Sequence, residues 1–154
     1  MSFGGPEKRH KLIWSMVGLV VVVAAAGLAT NAIFAYFKSR DPIYQCVQDP
    51  LNQPYQASVP LNVTEDGAQL PVPAGIGISK ECTRPVHTLQ QNVIHIAYNS
   101  RYNFTLGHFL YIWGIDLSKF NTKAYVNGSL YTGGSILDIV LKNGESIRIN
   151  FVKR

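Results

Sequence analysis

Beyond the N-terminal apolar run, the imidazole and thiol side chains able to hold a metal or move a proton are His87, His95, His108, Cys46 and Cys82. Neutral imidazole and thiolate are soft ligands suited to copper or zinc. If the three histidines converged beside a thiolate, a copper-like centre would result. None of them stands at a spacing that a single helix or turn would impose, so such a centre depends wholly on the fold. The plainer reading gives each histidine a structural place. His87 anchors a loop through hydrogen bonds, His95 packs within a sheet, and His108 lies on a helix surface. Nucleophilic chemistry has less support, because no Ser, His and acid form a recognised elbow or triad pattern. Glu65 and Asp66 are adjacent, and two neighbours in sequence cannot flank a bond from opposite sides as a glycosidase pair must. The residues therefore favour a non-catalytic chain without a cofactor, with a metal ion on the histidines as the alternative.

The elements that position these groups begin with an uncharged run, LIWSMVGLVVVVAAAGLATNAIFAYF, from Leu12 to Phe37. At about 1.5 Å rise per residue this is long enough to cross a hydrocarbon layer of about 30 Å. Lys8, Arg9 and Lys11 precede it, offset by Glu7, while Lys38 and Arg40 follow with Asp41. Short basic flanks stay inside, so the N-terminus is expected in the cytoplasm and the rest outside. Trp14 and Tyr36 sit near opposite ends, where amphipathic rings favour the headgroup zone. A cleaved secretory signal is the competing reading, supported by small residues Ala24 to Ala26 and Ala29. The apolar run continues through Ile33, Phe34, Tyr36 and Phe37, past the usual signal core, which favours a retained anchor. Ala25, Ala29 and Ala32 share one side of the helix, as alanine-rich membrane helices commonly show. The expected organisation is a cytoplasmic segment 1–11, a transmembrane helix 12–37, a Pro/Gln-rich linker 38–58 and an extracytoplasmic α+β domain 59–154.

The net charge is +5, and charged residues make up 15% of the chain. From Lys38 onward eleven Lys or Arg stand against eight Asp or Glu, scattered without aromatic interleaving. Nucleic acid is therefore not an expected partner. The bilayer is one, and other membrane or envelope proteins are the others. An even cysteine count in an oxidising compartment predicts a Cys46–Cys82 disulfide. Closing that loop stabilises by roughly 3–4 kcal/mol on the chain-entropy model. Sequons at Asn62, Asn103 and Asn127 fall in the outer part and are glycan acceptors if the host glycosylates its surface. Tyr98, Tyr102 and Tyr111 are candidates to line an interface, and a cell-surface carbohydrate-binding module using exposed tyrosines is a third reading.

Pro42, Pro50, Pro54 and Pro60 mark a stalk or wrapping loop. Val59 to Val63 reads as a strand that turns at Glu65-Asp66-Gly67 into Ala68 to Val72. Gly75 to Ile78 reads as a turn or bulge, and Val93 to Tyr98 as a β-branched strand. Thr105 is a plausible N-cap for a helix carrying Leu106, Phe109, Leu110 and Trp113 on one face, ended by Gly114. Lys123 to Leu130, Ile136 to Leu141 and Ser146 to Val152 read as strands with turns between them. A helix across one face of a sheet is an α+β arrangement.

The tail FTLGHFLYIWG…AYVNGSLY…DIVLKNGESIRINF, from Phe104 to Phe151, is similar to the second half of β-grasp proteins, which implies a β-grasp-like domain. The chain ends Val152-Lys153-Arg154 instead of the Gly-Gly of sulfur-carrier and ubiquitin-like members, so their activation chemistry is not expected. The stretch LPVPAGIGISKECTRPVHTLQQNVIHIAYNSRYNFTLGHFLYIWG resembles a group of small, largely uncharacterised exported or membrane-anchored proteins of archaea and bacteria. Those carry P-A-x-I-G-I, then C-x-x-P-x-H-T-H-D, then I-H-x-E, then T-L-G-x-F-F-x-x-W-G. Cys82, Pro85, His87, His95, Thr105, Leu106, Gly107, Phe109 and Trp113 fit that pattern. Leu89, Gln90 and Ala97 stand where it has a histidine and acids, and Tyr55 to Pro60 lacks the histidines of its upstream strand. The resemblance implies that any metal set of the group is depleted here.

Overall fold

The computed structural model describes residues 6–154, with the backbone alone for 6–15, 38 and 39. Lys8, Arg9, Lys11, Glu7, Trp14 and Lys38, which carry the orientation reading, lie outside the residues whose side chains are described, as do residues 1–5 altogether. The chain divides into two units, Met1–Asp41 and Pro42–Arg154.

In the first unit, helix α1 runs Pro6–Arg40. Proline is tolerated at its first position, where the missing N–H has no helical partner to lose. No proline follows it in the helix, so the run of small and β-branched apolar residues continues unbroken. Over Met16–Phe37, 22 residues, length and composition suffice to cross a membrane, and every side chain there is exposed. Thr30 donates its hydroxyl to the Ala26 carbonyl at 2.7 Å and so conceals its polarity within the helix. The Arg40 guanidinium lies 4.6 Å above the Tyr36 ring.

The second unit is a mixed sheet crossed by one helix. Strand β1 (Tyr55–Glu65) alternates strictly, with Ala57, Val59, Leu61 and Val63 buried and Gln56, Ser58, Pro60 and Asn62 exposed. That period of two puts one face on the core and the other outward. The remaining strands are β2 (Ala68–Leu70), β3 (Val86–Gln90), β4 (Val93–Tyr98), β5 (Phe120–Val126), β6 (Ser129–Leu130) and β7 (Ile147–Lys153). Their order across the sheet is β3-β4-β1-β7-β5-β6, with β2 paired to β1. β1 and β7 are parallel neighbours at the centre, and every other pairing is antiparallel. Pro60 is tolerated in this central strand because the ladder to β7 begins only at Leu61, one residue later.

Helix α2 (Leu106–Trp113) lays Leu106, Phe109 and Leu110 on the inner face among Leu61, Ile94, Ile96, Ile149 and Phe151. Gly114 at φ 80° ends it in the left-handed region. Gly107 lets the helix approach the turn Ile136–Asp138, because a Cβ there would lie 2.8 Å from the Leu137 carbonyl.

Three expectations change. The first strand begins at Tyr55, inside the segment read as linker, because Ala57 already faces the core. β3 forms where the sequence pattern predicts no strand, between the turn at Gly75 to Ile78 and the strand at Val93 to Tyr98. Ile136 to Leu141 is a 3₁₀ turn at Ile136–Asp138 followed by a single bridge, Thr105 to Val140. Ile139 and Leu141 are buried beside α2, with Leu106 N–H donating to the Ile139 carbonyl and Leu141 N–H to that of Phe104. Packing under the helix thus replaces the ladder that alternation alone would predict.

The proline-rich segment after residue 41 wraps onto its own domain as a strap. Ile43 is buried, Val47 N–H donates to the Thr83 carbonyl at 2.7 Å, and Tyr98 hydroxyl donates to Gln45 Oε1 at 2.8 Å. Cys46 and Cys82 are joined, with S–S 2.03 Å.

Candidate functional site

The polar side chains that the fold buries most deeply are on β3. His87 and Thr88 are both fully buried. Edge strands normally carry polar groups outward, so each needs internal partners. Thr88 hydroxyl donates to the Pro73 carbonyl at 2.8 Å and accepts from Ile76 N–H at 2.9 Å. Gly75 N–H donates to the Thr88 carbonyl and Thr88 N–H to that of Ile76, so the loop before β3 runs along its free edge. Gly77 permits this approach: it sits at φ 77°, and a Cβ would lie 2.7 Å from the Val86 carbonyl and 3.1 Å from His87 Cβ.

His87 pairs directly across the strands with His95. Their hydrogen bonds fix both tautomers. The Arg84 carbonyl, 2.8 Å from His87 Nδ1, can only accept, so that nitrogen bears the proton. His87 Nε2 is then an acceptor, and His95 Nδ1–H donates to it at 3.1 Å. This leaves His95 Nε2 as the pair's one remaining basic nitrogen. Burial drives the His87 pKa from 6.5 down to about 4; the Arg84 carbonyl opposes this and repulsion from His95 adds to it. Burial also lowers His95. A first proton settles on His95 Nε2 and keeps the bond. A second proton on His87 Nε2 would face the His95 N–H donor, and the bond would be lost. Burial holds both imidazoles toward the neutral form, so the pair is a structural element and a poor general base near neutrality.

The same segment holds the strap. Arg84 accepts from His87 through its carbonyl, donates its N–H to Gly77, and places Nη1 2.9 Å from the Ile43 carbonyl. Its guanidinium lies 5.8 Å from the Tyr44 ring, which meets Tyr111 edge-on at 6.0 Å. Arg84 carries no signal in the sequence that marks this role, whereas Gly77 falls within the turn or bulge expected at Gly75 to Ile78. Asn92, left-handed at φ 60° between Gln90 and Val93, was the available sign of a tight hairpin joining β3 to β4.

His108 is not with this pair. It closes a capping box at the start of α2, its Nδ1 accepting from Thr105 N–H at 2.9 Å while its own N–H reaches Thr105 Oγ1 at 3.4 Å. His108 thus lies on the helix, half-buried, with its ring acting as a cap beside the Phe104 ring. The set His87, His95 and His108 does not assemble, and among the described residues no three His, Cys, Asp or Glu side chains form a metal-binding group. The cysteines are in a disulfide and offer no thiolate. Glu65 and Asp66 both face Lys153, at 2.8 and 3.9 Å, and Asp66 Oδ1 also accepts its backbone N–H. Of the tyrosines read as an interface, Tyr98 is buried in the core, Tyr102 packs on Phe104, and Tyr111 remains exposed. Asn62, Asn103 and Asn127 are all exposed; Asn127 Oδ1 is engaged by Ser146 N–H at 2.9 Å. An apolar hollow of about 490 Å³ lies beside α2, lined by Thr105, His108, Leu110, Tyr111, Leu117 and Leu137.

No family model matches the chain, and no curated protein or solved structure is significantly similar to it.

Proposed function

We propose that this chain is a single-pass membrane protein, N-terminus cytoplasmic, whose outer β-grasp-like domain acts without catalysis as an accessory or interaction subunit of a membrane or envelope complex. The observation that carries this reading is the helix Met16–Phe37, apolar and exposed on every side. A helix hydrophobic all round needs an apolar surrounding, and a bilayer supplies one. The disulfide supports an oxidising exterior for the domain. Central parallel first and last strands with one crossing helix support the β-grasp reading. The resemblance to small anchored archaeal and bacterial proteins points the same way. With the buried polar residues occupied in holding the strap and the sheet edge, recognition is the role left to the exposed surface.

Membranes washed at alkaline pH should retain the protein, protease added to intact cells should remove the outer domain, and native electrophoresis after gentle solubilisation should give a species larger than the monomer. Release by the wash, protection of the domain, or a monomer alone in mild detergent would each refute the corresponding part. A second reading, metal binding, keeps His87 and His95, whose nitrogens stand 3.1 Å apart. Metal content near zero in both the purified protein and its His95→Ala variant would remove it.

A further inference from the structure

We infer that the outward face of strands β1, β7 and β5 is a docking surface for an acidic segment of a partner protein. This rests on the reading of the chain as an interaction subunit and specifies where, and to what, it binds. The sheet registers put two rows side by side on that face. One is Asn62, Arg148 and Tyr125; the other is Thr64, Asn150 and Lys123. Outward-facing positions on these three strands include no Asp or Glu, so the face carries two cations and no compensating acid.

Three other lysines of the domain are neutralised by carboxylates. Lys119 pairs with Asp116, Lys142 with Glu145, and Lys153 with Glu65 and Asp66. Arg148 and Lys123, both exposed, have no carboxylate at ion-pair distance among the described residues. Thr64 Oγ1 donates to Asn150 Oδ1 at 3.0 Å, which turns the Asn150 amide so that its N–H₂ is the group left to donate. The rows therefore present guanidinium, ammonium and amide donors together.

Sheet geometry sets Arg148 and Lys123 one strand and two residues apart, about 8 Å between Cα atoms, and an extended chain repeats same-side residues about every 6.8 Å. Alternate carboxylates of an extended acidic segment match that spacing. The face is the surface of a sheet, whereas small ligands and sugars are usually held in concavities. Charge complementarity of this kind sets partner choice and association rate. A protein segment is accordingly the occupant that fits.

The test uses the full chain in nanodiscs of zwitterionic lipid and a labelled peptide of alternating glutamate and serine, read by fluorescence anisotropy at low and physiological salt. The expected result is saturable, salt-sensitive binding that falls more than about tenfold in Lys123→Glu/Arg148→Glu. The control Lys119→Glu/Lys142→Glu, which changes net charge equally, should lose less than about twofold. Absence of saturable binding, an equal loss in the control, or stronger competition by dextran sulfate or anionic vesicles than by free peptide would overturn the assignment. If the native complex keeps its size in the Lys123→Glu/Arg148→Glu protein, the docking face is wrong while the interaction role stands. If the wild-type chain forms no complex, that role fails, and the peptide measurement still decides the face.

Discussion

Acidification from pH 7 to pH 4 should destabilise this domain, chiefly through His87. His87 is completely shielded from solvent and titrates near 4 in the folded state, against 6.5 when exposed. As pH falls below 6.5 the unfolded chain takes a proton that the folded chain refuses. Stability is therefore fully present above 6.5, declines through the interval, and has lost its whole His87 contribution below about 4. Each pKa unit is worth about 1.4 kcal/mol, so the loss totals about 3 kcal/mol. Against the 5–15 kcal/mol typical of a domain this is a large share. The lowered pKa of His95 acts in the same direction. The carboxyl of Asp116, held low by Ser118, acts only below the ordinary carboxylate range and so outside this window. The assay is a urea titration of the full chain in mild micelles at half-unit pH steps, read by Trp113 fluorescence in a Trp14→Phe background. His87→Asn supplies the comparison, since its amide can still donate to the Arg84 carbonyl but does not titrate. The variant should be less stable at pH 7 and show a slope reduced by up to about 1.4 kcal/mol per pH unit between 6 and 4.5. An unchanged slope in His87→Asn, or a wild-type profile flat across the interval, would refute the buried neutral pair.

Reduction, or Cys46→Ser with Cys82→Ser, should lower unfolding stability by about 4 kcal/mol in the same urea assay, as expected for opening a loop of 36 residues. Gly107→Ala should cost about 1–3 kcal/mol, because its Cβ meets the Leu137 backbone and the helix has to shift; a loss under 0.5 kcal/mol would contradict that contact. Thr105→Val should cost about 1 kcal/mol by removing the oxygen that accepts from His108 N–H, and hydrogen exchange should rise in the first turn of α2 ahead of the sheet.

Much of the fold was legible because local chemistry and final structure agree at those places. Thr105 and Gly114 bracket α2, the Asp66-Gly67 and Asn127-Gly128 pairs take left-handed backbone in their turns, and the alternation of β1 marks its buried side. The disulfide followed from two cysteines and a compartment. Where polar residues are buried, reading failed. Val86-His87-Thr88 looks like connection because histidine and threonine are ordinarily solvated, and only the loop at Gly75 to Gly77, folded along the edge, supplies their partners. His108 reads as a surface residue because nothing in its type announces that the ring turns back to the Thr105 N–H.

What the chain determined by itself was therefore its apolar helix, its capped amphipathic helix and its turns, all set by interactions within a few residues. Tertiary structure alone decided that the C-terminal strand lies parallel beside the first, that His87 meets His95 while His108 stays apart, and that Arg148 and Lys123 share an acid-free face. Those outcomes depend on strand order and register, which are fixed by burying distant apolar faces together, and no local sequence pattern encodes which distant strand will be the neighbour.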